Sequence, residues 1–301
     1  MSTIYARIYK YRWQYGMILP AVVLLFLFNY VPMVGIVTAF KDFHIGLTLW
    51  NAPWIGFDNF WFLQDPQFLI VVRNTLYISV LKFLFGFPAP ILLAILINEI
   101  GNGKFKRFVQ SVSYLPHFFS WIVVAYILQS MLTIDGGLVN QLITDLGGGE
   151  PIFFLGSVEW FRPMAVASGL WKEIGWNSIL YLAAITTIDP QLYEAAKMEG
   201  AGRWARIRHI TYPGILPTIS IVLILNVPGL INAGMDQIYP LMNAANQPVS
   251  DVLDTYMLRT GLQQGYFGMA TAIGLISSIV SLGLVLLTNQ MSRKINGEGL
   301  W

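Results

Sequence analysis

The sequence predicts an all-α polytopic membrane protein with six transmembrane helices, and three observations carry that prediction. Of 301 residues, 55% are hydrophobic and 11% charged, whereas a soluble chain carries roughly a quarter charged residues. Apolar stretches recur that are long enough to cross a hydrocarbon core of about 30 Å. Lysines and arginines crowd into alternate connections between those stretches.

Residues 1–16 read as a cytoplasmic, interfacial N-terminus, with Arg7, Lys10 and Arg12 set among Tyr5, Tyr9, Tyr11, Trp13 and Tyr15. Aromatic rings at headgroup level and cations in water suit that mixture. Residues 17–40 run 24 positions without a charge, about 36 Å as helix. A signal peptide has a shorter apolar core and a small-x-small cleavage site, so this stretch reads as a retained first span. After a polar-aromatic loop, span two covers 70–97, with Arg73 near its start and Lys82 inside. A basic loop at 99–107 leads to an uncharged third span, 109–132. The segment 135–162, with glycine clusters and acidic residues, reads as an external loop with little fixed structure. Span four, 164–188, is interrupted by Lys172-Glu173. Span five is 214–234 and span six is 267–290, with a cytoplasmic tail at 291–301. Between them, 235–266 reads as external, with a surface helix near 251–262 and Asp251 and Asp254 on a solvated face.

Orientation follows from the cations. Twelve of the 18 lysines and arginines fall in the N-terminus, 99–107, 189–213 and the tail. Both termini and 189–213 are therefore expected in the cytoplasm, inside a cell membrane that the chain crosses several times.

Several chemistries are excluded. The chain has no cysteine, so disulfides, thiolate metal sites and cysteine nucleophiles are absent. His44, His117 and His209 are too scattered for a metal site, and a lone histidine here reads as a polar packing residue. No GxxxxGK[ST], nucleophile elbow, HExxH or paired-acid cleft occurs, so neither a catalytic residue nor ATP hydrolysis is expected of this chain.

The most informative stretch is the loop 189–213. Asp189-Pro190 marks a helix start, with a capping side chain and proline in the first turn. Leu192, Ala195, Ala196 and Met198 follow on a short helix, which Gly200 and Gly202 interrupt. A second short helix is expected from Arg203 to Ile210, stopping at Pro213. Two short helices joined at a glycine elbow make a docking element.

These residues resemble a known family. Glu194-Ala195-Ala196, Gly200, Ile210 and Pro213, with Glu199 where an aspartate is commoner, look like the EAA loop of binding-protein-dependent ABC transporter permeases. Residues 74–100, 168–185 and 230–241 look like the sugar-permease branch, both maltose-permease-like and of the LplB-like polysaccharide or oligosaccharide type. The resemblance implies a type I ABC importer (MetI-like) transmembrane fold over 17–290, in a bacterial inner membrane. It implies a heterodimer with a second, homologous permease and two ATPase subunits that hold the ATP and Mg. It also implies an extracytoplasmic sugar-binding protein, import as the direction of flux, and span one wrapped on the partner.

Within the bilayer, Lys82, Lys172 and Glu173 each cost about 3 kcal/mol to bury unless paired. Trp171, Lys172, Glu173, Trp176 and Asn177 on span four carry indole faces and hydrogen-bonding groups suited to a sugar. Asn226 and Asn232 flank Pro228-Gly229 on span five, and Asp236 and Gln237 follow at the external mouth. These nine form the candidate substrate pathway. Two plainer readings stand beside it: Lys172 or Lys82 paired with Glu173 to hold the bundle, and a proline bend made for packing. A secondary transporter would need an ion site, and a glycosyl-transferring enzyme would need grouped acids. A membrane scaffold would not need the EAA spacing.

Overall fold

The computed structural model describes Arg7, residues 9–296 and Gly299. Tyr5 of the expected interfacial N-terminus and residues 297, 298, 300 and 301 of the expected tail lie outside the described residues. The described residues are almost wholly helical, with one isolated antiparallel bridge between Lys41 and Trp54. They fall into two units, 1–62 with 257–275 and 63–256 with 276–301.

In the smaller unit, helix α1 (Arg12–Leu25) continues through a π turn, Phe26–Tyr30, and a 3₁₀ stretch, Val31–Phe40. Phe40 stacks on Trp54 at 5.7 Å and meets Phe57 edge-on at 5.6 Å. The Asn59 amide nitrogen donates toward the carbonyls of Ala39 and Lys41 at 3.1 and 2.9 Å, tying the end of this run to the following loop.

In the larger unit, Asp65 caps helix α2 (Pro66–Gly86) by accepting from the Gln67 N–H at 3.0 Å. Helix α3 (Pro88–Glu99) continues the same apolar run of 34 residues. Helix α4 (Gly103–Tyr114) and helix α5 (Trp121–Leu132) meet at 100°. The sequence-based third span is therefore two helices. Pro116 lies in a single 3₁₀ turn and cannot donate to the ladder, and Ser120 starts a new helix by capping Val123 at 3.3 Å.

The segment 135–162 is ordered rather than loosely structured. Helix α6 (Leu138–Gly147) occupies it, and the buried Asn140 side chain binds both the N–H and the carbonyl of Ile152, at 2.8 and 3.0 Å. One amide thus closes the loop.

Helix α7 (Val158–Thr186) is the packing axis of this unit. Its N-terminal half joins Phe161, Met164 and Ala165 to Ile78, Ala125, Ile238 and Val252. Its C-terminal half joins Tyr181, Leu182 and Ile185 to Ile91, Ala94, Ile97 and Ile215.

Helix α8 (Pro190–Met198) follows, then α9 (Arg203–Arg206), a π turn over Ile207–Thr211, and α10 (Tyr212–Asn226). The helix expected to stop at Pro213 instead runs into the apolar segment as one stretch, Arg203–Leu241. The π turn over Ile207–Thr211 passes directly into α10 ahead of Pro213, and this local widening lets the run continue past a residue that has no N–H to give.

Helix α11 (Met235–Leu241), α12 (Gln247–Ser250) and α13 (Leu253–Leu258) fill the second expected external segment. Asp251 is buried, accepting from Thr255 Oγ1 at 2.9 Å, and its backbone carbonyl accepts from Asn74 at 3.2 Å. The expected solvated face for Asp251 and Asp254 is thus corrected: the segment folds inward because its apolar residues, Val252, Leu253 and Tyr256, are themselves buried.

The last helix is α14 (Phe267–Asn296). Among the described residues, four helices are long and apolar enough to cross a membrane, or five if α4 and α5 count as one broken span. Helix α7 has the length, 29 residues, but Lys172, Glu173 and Asn177 leave it less apolar than the others.

Candidate functional site

A cavity of about 420 Å³ lies inside the larger unit. Helix α7 lines it with a stripe at spacings of three and four: Val166, Gly169, Glu173, Asn177 and Leu180. Helix α2 contributes Ser79, Lys82 and Phe83, and the α10–α11 region contributes Asn226, Gly229, Asn232, Asp236 and Gln237.

Trp171, Lys172 and Trp176, expected in the pathway, are not among its lining residues. Trp171 falls about 160° round the helix from Glu173, which turns it away from the stripe. Trp176 instead has one indole face covered by the His117 ring, stacked at 4.4 Å with an interplanar angle of 3°.

Lys172, Glu173 and His117 form one ionic cluster. Glu173 Oε2 lies 2.8 Å from His117 Nδ1, and Glu173 Oε1 accepts from Lys172 Nζ at 3.3 Å. Lys172, only 5% exposed, also donates to the His117 backbone carbonyl at 2.7 Å and sits 5.3 Å from the Trp121 ring centre. His117 belongs to the 3₁₀ turn at the α4–α5 bend, so the cluster pins that bend to the middle of α7. Of the two expected partnerships for Glu173, the one with Lys172 forms. Sequence reasoning treated His117 as an isolated packing group, and no local spacing links positions 56 residues apart.

Near the other end of the cavity, the break after α10 comprises a 3₁₀ turn, Val227–Ile231, and Gly234 at φ 86°. Asn226 Nδ2 donates to the Val222 carbonyl at 2.8 Å, and Asn232 Oδ1 accepts from Gly234 N–H at 2.8 Å. Asn226 Oδ1, Asn232 Nδ2 and the whole Asn177 amide are left without a protein partner among the described residues. Gln237 is committed elsewhere, donating to the Ala165 carbonyl at 2.6 Å and Ser168 Oγ at 2.9 Å.

Lys82 Nζ donates to the Ala233 carbonyl at 2.6 Å. The Asp254 carboxyl lies beside the backbone of Ala233 and Gly234. Burial pushes it above its ordinary range, against that backbone and the Lys82 charge.

At the opposite end of α7, the loop 189–213 has the local geometry its residues dictate. Asp189 Oδ1 accepts from the Gln191 N–H at 2.9 Å. Gly200 takes φ 79°, while Ala201 N–H bonds the Ala196 carbonyl at 2.9 Å and Gly200 N–H the Lys197 carbonyl at 3.1 Å. That paired closure ends α8 and turns the chain. Tyr193 Oη and Thr211 Oγ1, 3.0 Å apart, join the two limbs. Glu194, Ala195, Glu199 and Pro213 are exposed; Ala196 and Ile210 are half-buried.

Residues 86–297 match the family model described as binding-protein-dependent transport system inner membrane component. The chain is 44% identical over 296 residues to the polygalacturonan/rhamnogalacturonan transport system permease protein YteP of Bacillus subtilis, covering 98% of this chain and 92% of that one. It is 43% identical over 291 residues to protein LplB of the same organism, covering 96% and 91%. A crystal structure of a bacterial ABC transporter that imports the acidic polysaccharide alginate contains a chain of TM-score 0.90 and 40% identity, with 97% and 99% of the two chains covered. The chain belongs to the family of inner membrane components of binding-protein-dependent transport systems.

Proposed function

We propose that this chain is the transmembrane permease subunit of an ATP-driven importer of oligosaccharides or polysaccharide fragments. The observation that carries this reading is the α8–Gly200–α9 elbow at the end of α7, the helix that lines the cavity. Met198 and Trp204 on that elbow are 89% and 78% exposed, an apolar surface suited to a groove on an ATPase subunit. Glu194, Ala195, Ala196, Glu199, Gly200, Ile210 and Pro213 form the docking loop. ATP and Mg act in the two ATPase subunits, and a second permease completes the pathway.

In this mechanism, ATP binding closes the ATPase dimer and the elbow carries that movement into α7 and α10. The cavity opens outward, a sugar-binding protein releases its glycan into it, and hydrolysis restores the inward-facing state. Differential contacts in the two states supply the coupling free energy. Glu173, Asn177, Asn226, Asn232, Asp236 and Gln237 line the path; Lys172 and Trp176 support its walls, and Trp171 lies apart. The glycan class is carried over from relatives: YteP is named for polygalacturonan and rhamnogalacturonan, and the similar crystal structure also exists with a periplasmic protein bound to an alginate pentasaccharide.

Reconstitution of the chain with its second permease, ATPases and binding protein tests the reading. Uptake of an oligosaccharide should require both ATP and the binding protein. Uptake that persists without ATP would make the chain a secondary transporter.

A further inference from the structure

We propose that Lys82 is a carboxylate-binding group of the cavity, selecting glycans that carry uronic acid residues; the proposal rests on the permease reading above.

Lys82 is the one cation among the described residues that line the cavity. An ammonium group has three N–H donors, and the one hydrogen bond Lys82 makes among the described residues goes to the Ala233 carbonyl at 2.6 Å. Among those residues it has no ion-pair partner. Asp254 is its electrostatic neighbour beside the same Ala233–Gly234 turn, but no ion pair joins them, and among the described residues Asp254 Oδ2 has no hydrogen-bond partner. The two charges therefore share a backbone turn without pairing with each other. Gly234 borders the ammonium without covering it: a Cβ there would stand in contact, 3.6 Å from Lys82 Nζ.

An intramembrane lysine left unpaired beside a cavity is costly and serves an incoming partner better than it serves the fold. The two acids of the cavity do not compete for it. Glu173 is engaged by Lys172 and His117, and Asp236 sits in the first turn of α11, where free N–H groups favour negative charge. A uronate carboxylate offers charge-assisted hydrogen bonds to the remaining ammonium donors, roughly twice as strong as those from a neutral hydroxyl. Asn177, Asn226 and Asn232 supply neutral groups for the sugar hydroxyls.

The natural chain lacks cysteine, so a reporter can be placed cleanly. Gly229→Cys lines the cavity, and a Cβ there meets nothing within 4 Å; Val166→Cys, at another lining position, serves as a second reporter. In the complete transporter, its other subunits freed of cysteine, maleimide labelling is followed with galacturonate pentasaccharide or its fully methyl-esterified counterpart. The free acid should slow labelling about fivefold more than the ester, the scale of one charge-assisted contact. Lys82→Gln should erase that difference and Lys82→Arg should keep it. Equal protection by acid and ester, no protection by either, or a difference that survives in Lys82→Gln overturns the assignment. ATP-dependent uptake of any oligosaccharide by the same transporter shows separately whether the permease reading stands.

Discussion

The backbone carbonyl of Ser113 on α4 lies so close to Gly175 on α7 that a Cβ at position 175 would overlap it. This contact sits one turn from the His117–Glu173 pair, so the broken span is held to α7 both by backbone proximity and by charge. Small residues that let helix backbones approach are a main source of packing energy where lipid surrounds both helices.

Gly175→Ala should force α4 and α7 apart. The overlap is with backbone, which cannot rotate away, so the expected cost is about 1–3 kcal/mol or more. Thermal unfolding of the detergent-purified transporter measures it. A variant that melts with the wild type would show that the contact relaxes freely.

Glu173→Gln should loosen the same junction by removing the acid shared by Lys172 and His117. Lys172 is almost fully buried and would lose its counter-charge, keeping the His117 carbonyl, the Trp121 ring and at most a neutral amide acceptor, at an expected cost of about 1–3 kcal/mol. Lys172→Met in the Glu173→Gln background should then cost much less than in the wild type. Strict additivity in this double-mutant cycle would deny the pairing.

Gly200→Val places a β-branched residue at φ 79°. The left-handed conformation costs roughly 1–2 kcal/mol for such a residue, and the elbow between α8 and α9 should distort. Transport and stimulated ATPase activity should fall while the protein still inserts. Normal transport would remove the elbow from the mechanism.

Ala196→Trp should weaken assembly with the ATPase subunits, because the proposed contact depends on a small side chain on α8. The readout is the ATPase content of complexes purified in detergent. Unchanged content would place the docking surface elsewhere.

Asp254 gives a pH dependence. Its carboxyl is raised by burial, so the folded protein holds the proton more tightly than the unfolded chain. Stability from this group is present at acidic pH and declines as pH rises past the ordinary carboxylate value of about 4 and through the raised one. Asp254→Asn should therefore flatten the melting temperature across that window, most visibly near neutrality. An unchanged pH profile would count against the burial of this charge.

The sequence by itself determined the class, the elbow and the limits on chemistry. Long uncharged runs read locally, because a bilayer demands length and apolarity of each helix independently. The Asp189 cap and the positive φ of Gly200 were legible because capping and left-handed turns depend on residues a few positions apart. The tertiary structure decided what those local rules do not reach. Span three reads as uniform, yet it bends by 100° where Pro116 and Ser120 meet the His117–Glu173 clamp. Trp176 carries a side chain suited to sugar, yet packing placed His117 on its face and gave the cavity to Asn177, one position on. Lys82 could be singled out as a charge in a span, but its lack of an ion pair among the described residues depends on where Ala233, Gly234 and Asp254 lie in space. Partners more than 50 positions apart are chosen by helix packing, and helix packing is a property of the whole chain rather than of any stretch of it.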